Sequence, residues 1–299
     1  MSYDPTLGRW IEMDPATYID GPNMYPMERS NPVRYDDPLG LFSSGGGGMP
    51  DVHGAITRAG LANSGLPASM INTVVNANVG QDDGAALNRP PFNDPANHGD
   101  NGPAGIQSAI NRMLERWRNI LGSKDKCKSC ADVNRMLQEF GKILHGIQDL
   151  YAHSNYVETM DQATNGQSQV GTIPLWGMPG IRAGITSGNY VHPIEVLQGH
   201  APAVPPTHDQ MAKDNPTFPA GQVQNAAGVS MYDLAVDLAT RATADAWTKL
   251  QRQLYGSPMW AQLQRCIEAA RKAAASQPAS RPTSRPSSQP SGELLHDIP

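Results

Sequence analysis

Between residues 103 and 121, apolar side chains recur at Ile106, Ile110, Met113, Leu114, Trp117 and Leu121. Steps of three and four place them on one stripe of a helix and leave the intervening polar residues to solvent. The same period predicts helices over roughly 53–63, 66–79 and 130–153. It also predicts a closing pair over 225–254 and 258–274, split at Gly256-Ser257-Pro258. Residues 53–275 are therefore expected to form an all-α domain. A Gly/Pro-rich loop, 161–224, separates the fourth helix from that pair. Connections of that length in a compact domain usually serve a purpose. This one carries His192, His200 and His208.

The ends have a different texture. Residues 1–41 are rich in Tyr, Pro, Asn and Asp, with turn signals at Asp20-Gly21-Pro22-Asn23 and Asn31-Pro32. Residues 42–52 contain Ser43-Ser44 and four glycines, a flexible linker. The tail, 276–299, repeats Ser, Pro, Arg and Gln, and such a segment is expected to be disordered.

Composition narrows the function. A net charge of −5 offers no electrostatic case for nucleic-acid binding. No run of ~18 apolar residues suggests a membrane span, and the first residues do not read as a signal peptide. Three cysteines are too few for a disulfide scaffold. Cys127 and Cys130 are expected to form a local disulfide or to remain plain thiols, and Cys266 to be a buried thiol.

The strongest chemical signal lies in the fourth helix. His145, Asp149 and His153 recur every four residues. Four residues turn ~400° and rise ~6 Å, so the three share an ~80° arc of one face. The outer histidines are ~12 Å apart along the axis, too far to share one ion easily. Two ions bridged by the central carboxylate suit the spacing, because a carboxylate has two oxygens and imidazole is a favoured zinc ligand.

Two family resemblances add to this reading. Tyr3-Asp4-Pro5-Thr6-Leu7-Gly8-Arg9-Trp10 and Asn31-Pro32-Val33-Arg34-Tyr35-Asp36-Asp37-Pro38-Leu39-Gly40-Leu41 resemble the end of an RHS/YD-repeat core. That resemblance implies a shell that encapsulates a toxin and an aspartyl autoprotease that cuts after the motif. Carried over, Asp14 and Asp37 are the paired carboxylates and Leu41–Phe42 the scissile bond, although Thr17 stands where the family has Gly. It also implies a C-terminal effector, a cognate immunity protein, and delivery into the periplasm or onto the membrane surface of a target cell by a secretion apparatus such as type VI.

The segment His145 to Glu158 resembles the Het-C motif His-x-x-x-Asp-x-x-x-His-Ser-Asn-aromatic-Val-Glu. Het-C proteins are similar to the helical fold of zinc-dependent phospholipase C and S1/P1 nuclease. His53-Gly54-Ala55-Ile56-Thr57, the pair Asp83 and His98, and His208 with Lys213-Asp214 resemble further motifs. The resemblance implies two or three zinc ions. Asp83, His98, His145 and Asp149 would hold one, and His153, His208 and Asp214 a second. His53 with Asp149 would hold a third. Ala212 occupies the usual place of the downstream acid, and Asp214 substitutes for it. Asp149 or Asp83 would orient the attacking water, and Glu158 is expected to steer a ligand imidazole.

Such a cluster suits phosphodiester hydrolysis, because zinc lowers the pKa of bound water from ~15.7 to ~7. Membrane phospholipid is the expected substrate, since an acidic chain gains nothing in approaching a polyanion. An S1/P1-like nuclease and a non-catalytic membrane- or partner-binding module are the alternatives. Met160, Leu175, Trp176, Met178 and Ile181 either line an apolar wall for acyl chains or pack on the core.

Overall fold

The computed structural model describes residues 3–4, 9–10, 52–81, 95–177, 183–191, 200–201 and 203–276. The helical period of the sequence is realised element by element. Strands β1 (Tyr3–Asp4) and β2 (Arg9–Trp10) pair antiparallel, Tyr3 opposite Trp10. Among the described residues the other regular elements are helical, a 3-10 turn at Lys124–Lys126 and the α-helices α1 (Val52–Gly60), α2 (Ala68–Val79), α3 (Pro95–His98), α4 (Gly102–Ser123), α5 (Cys130–Ala152), α6 (Tyr156–Gln162), α7 (His208–Met211), α8 (Pro219–Gln222), α9 (Met231–Leu254) and α10 (Pro258–Ser276). The fold is all-α. Among the described residues, no helix is long and apolar enough to cross a membrane.

Helix α5 is the axis of the bundle. Ser129 and Asp132 form a capping box at its start: each side chain accepts from the other's backbone N–H. Helices α2, α3, α4, α9 and α10 all pack on it. Its first half buries one face through Val133, Met136, Leu137 and Phe140. From Ile143 to Ala152 it is enclosed on every side, with only Ile147 partly exposed. A helix so enclosed is normally apolar all round. The polar residues within that stretch therefore need partners, because a buried charge without one is costly.

The approach of α2 is set by Gly141. A Cβ there would lie 2.3 Å from the Val74 carbonyl oxygen, so the two backbones touch. One turn further along each helix, this contact sets Asn78 against His145.

Helix α9 begins at Met231 rather than near residue 225. The Asn225 side-chain oxygen accepts from the N–H groups of Ala227 and Val229, closing a turn, and Ser230 then caps the helix through the Asp233 N–H. The cysteine expectation is corrected: Cys130 bonds Cys266, tying the first residue of α5 to α10, and Cys127 is the buried free thiol. Local spacing favoured Cys127, but α10 packs against α5 and sets the two Cα atoms 5.8 Å apart, within bridging range.

The long loop folds back over the end of α5. Ser187 bridges Ser154, and Asn189 bridges Thr207, which returns His208 toward His153. Trp176 stacks on Tyr156, and its backbone N–H donates to the Tyr151 hydroxyl. Leu175 and Trp176 line a cavity of about 250 Å³ with Ile147 and Tyr151. Ile147 and Tyr151 lie two residues either side of Asp149, ~200° around the helix and thus on its other face. Trp176 is buried in the core, and Met160 and Leu175 pack against it. Met178 and Ile181 lie outside the described residues.

Candidate metal centre

Asp149 is the hub. Both its oxygens face imidazoles, and its side chain is wholly buried. His98 Nδ1 and His145 Nε2 each lie 3.1 Å from Oδ2, and 3.0 Å from one another. These three atoms form a nearly equilateral triangle drawn from α3 and α5. His53 on α1 brings Nε2 to 3.2 Å from the second oxygen, Oδ1. The contact is not aligned as a hydrogen bond, and Oδ1 accepts none among the described residues. Burial pushes the Asp149 carboxyl up, but the neighbouring His145 and His153 outweigh it and hold the group well below its ordinary range.

A second cluster joins Asp100, His153 and His208, whose ligand atoms lie within 4.8 Å of one another. His208 Nδ1 is 2.8 Å from Asp100 Oδ1, and the rings of His153 and His208 are 4.0 Å apart. His153 presents Nε2 to Asp214 at 3.0 Å, while Nδ1 lies 4.0 Å from Asp149 Oδ1 and is buried without a hydrogen-bond partner among the described residues. Burial lowers the pKa of His208, but the Asp100 hydrogen bond and charge raise it to about 9. Asp214, despite burial, is held below its ordinary range by His153.

Asp100 was not among the candidates read from the sequence. It sits two residues past His98, between Gly99 and Gly102, both at positive φ. Its backbone is pressed against α4 at Gly105, where a Cβ would lie 1.4 Å from the Asp100 carbonyl oxygen. The available signal was this His-Gly-Asp step in a glycine-flanked turn ahead of a Pro-initiated helix.

His53, His98, His145, Asp149, His153, His208 and Asp214 are thus brought together as the sequence suggested. His200 is exposed. Asp14, Asp37, Leu41, Asp83 and His192, with the linker and the tail, lie outside the described residues. Glu158 is corrected: among the described residues its carboxylate meets no imidazole but lies 3.1 Å from the Nζ of Lys213. Lys213 is fully buried and also donates to the carbonyls of Ser154 and Met211. It thereby joins the turn after His153 to the end of the His208 helix. Burial lowers the Lys213 pKa, and the Glu158 charge works against that.

The donor set fits zinc. Bonds of ~2.0–2.2 Å in tetrahedral geometry set neighbouring ligand atoms ~3.3 Å apart, close to the 3.0–3.1 Å triangle of His98, His145 and Asp149. Imidazole nitrogen with carboxylate oxygen is a ligand set that zinc accepts. Asp149 Oδ1 and His153 Nδ1 face each other with no hydrogen-bond partner among the described residues, and a cation or a bridging donor would satisfy both.

Residues 51–171 match the family described as the VWA7 N-terminal domain. That stretch contains His53, His98, Asp100, His145, Asp149 and His153, and ends before His208 and Asp214. A segment of 39 residues is 51% identical to toxin subunits YenC2 and YenC1 of Yersinia entomophaga. It covers 13% of this chain and 4% of each toxin subunit. No solved structure matches the chain.

Proposed function

We propose that this chain is a toxin C-terminal module whose helical domain is a zinc-dependent phosphodiesterase of the phospholipase C type. The observation that carries the reading is the Asp149 hub: one oxygen in a three-donor triangle and the other facing an orphaned imidazole nitrogen. The toxin context is supported by the short similarity to toxin subunits and by the RHS-like sequence of residues 3–41. In that context the partners are a cognate immunity protein, an RHS shell or secretion-apparatus component, and the membrane of a target cell.

His98, His145 and Asp149 would hold one ion, and Asp100, His153 and His208 a second. His53, on the free side of Asp149, would serve a third or share the first. Zinc bound there supplies a nucleophilic water at neutral pH and neutralises phosphate charge. Asp149 spans the two groups and would orient a water between them and accept its proton. Asp214 accepts the Nε2–H of His153 and turns Nδ1 inward. His98, His208 and Asp214 keep 18–26% of their side-chain surface exposed, so the site opens on this side. Among the described residues the buried lysine beside it, Lys213, is committed to Glu158. This leaves the ions to carry phosphate recognition. Phospholipid is favoured over nucleic acid because the chain carries net charge −5.

The test is headgroup release from mixed phospholipid vesicles by the full chain, with and without zinc. A His145→Ala/Asp149→Ala variant of checked melting temperature serves as control. Zinc-dependent release that the variant lacks supports a phospholipase. Release of nucleotides from DNA or RNA under the same conditions, with none from vesicles, transfers the site to the nuclease reading.

A further inference from the structure

We propose that Gln148 and Asn78 are positioning residues that fix the tautomers of His53 and His145, turning an unprotonated Nε2 of each toward Asp149. The inference rests on the metal-centre reading for its purpose, but its evidence is a buried hydrogen-bond chain that starts outside the ligand set.

The chain begins on α9. The Thr243 hydroxyl donates to the Ala239 carbonyl at 2.8 Å, so toward Gln148 its oxygen can only accept. Gln148 must therefore present its amide nitrogen, which donates to Thr243 at 3.1 Å and to Thr57 at 3.0 Å. This orients the Gln148 carbonyl oxygen toward His53 Nδ1, 2.9 Å away, and toward the Asn78 amide nitrogen, 3.1 Å away. Asn78 spends its second N–H on Thr57 at 2.8 Å, which leaves its carbonyl oxygen facing His145 Nδ1 at 3.3 Å.

A carbonyl oxygen carries no proton, so both Nδ1 atoms must donate. A neutral imidazole has one N–H, and Nε2 of each ring is then a lone pair. Those lone pairs face Asp149 at 3.2 Å from His53 and 3.1 Å from His145. A lone pair against a carboxylate oxygen is repulsive unless a metal cation or a proton lies between them. All four network side chains belong to buried residues, at 0–1% exposure, so water cannot substitute for a missing partner. The arrangement draws on α1, α2, α5 and α9 and fixes the donor atoms before any ion arrives. Partners of this kind are worth ~10–100-fold in metal affinity.

The experiment is nitrogen–proton correlation NMR on histidine-labelled, metal-free protein, at a pH where both rings are neutral. Zinc affinity is measured in parallel by competition with a chelator. His53 and His145 are expected in the Nδ1–H form. Thr243→Val frees Gln148 to reverse; it should mix the tautomers of His53 and weaken zinc ~10-fold or more, and Thr243→Ser should restore both. Nε2–H forms in the unaltered protein, or wild-type tautomers in Thr243→Val, overturn the proposal. Nδ1–H tautomers in a protein that binds no zinc support the network while sinking the metal-centre reading, so the two failures are distinguishable.

Discussion

Asp149 Oδ1 and His153 Nδ1 face each other across 4.0 Å, both buried and neither hydrogen-bonded among the described residues. One turn of α5 sets that gap, since the two residues are four apart on the same helix face. A buried carboxylate oxygen and a buried imidazole nitrogen left open toward each other are costly unless something bridges them.

Asp149→Asn replaces one carboxylate oxygen by an amide nitrogen, which cannot bind a cation, and removes the negative charge. The variant should lose at least one zinc per chain by elemental analysis. Headgroup release should fall by ~100-fold or more, in line with the loss of a ligand that positions the attacking group. Unchanged zinc content would remove Asp149 from its bridging role.

The Asp100–His208 pair makes the metal-free protein sensitive to alkaline pH. The pKa of His208 is raised from 6.5 to about 9 in the fold. Its stabilising contribution is therefore complete below pH 6.5 and fades as pH rises through about 9. Asp100, held below its ordinary 3.8, adds stability that is lost only as pH falls through the acid range. Melting temperature of the metal-free chain should decline between pH 6.5 and 9.5, and His208→Gln should flatten that decline.

Two glycines of α4 should respond in opposite ways. Gly105→Ala drives a methyl into the Asp100 carbonyl and must displace the residue that completes the second cluster. It should cost about 1–3 kcal/mol or more and lower zinc content. Gly122→Ala meets nothing within 4 Å and should stabilise the helix by about 0.5–1 kcal/mol. Urea unfolding of both variants, with zinc analysis, reads the contrast.

The Cys130–Cys266 bond closes a loop spanning 136 positions. Chain-entropy arguments put such a crosslink at about 4–5 kcal/mol. Cys130→Ser/Cys266→Ser should shift the urea midpoint down accordingly, with Cys127→Ala as the comparison that leaves the bond intact. An unchanged midpoint would mean the bond does not form in solution.

Much of the candidate site was legible because a helix repeats its face every four residues. His145, Asp149 and His153 announced a shared surface before any packing was known. His53, His98 and His208 carry a weaker local signal, because their motifs are short and lie on α1, α3 and α7. Glu158 misled for a related reason. It follows the triplet one turn later in sequence, yet the chain leaves α5 at His153, and α6 carries Glu158 to Lys213. Asp100 escaped notice because a turn has no periodicity to mark it.

By itself, the sequence determined the all-α class, the boundaries of α5 and the placing of two histidines and an aspartate on one face. Those are local properties, set by side-chain period and by capping groups within a few residues. Only the tertiary structure decided that Cys130 pairs with Cys266, that Asp100 meets His208, and that Gln148 and Asn78 reach His53 and His145. Each of these joins positions dozens to more than a hundred residues apart. Such pairings arise from how helices pack, here from the contact of α2 and α5 at Gly141 and the enclosure of α5 by its neighbours.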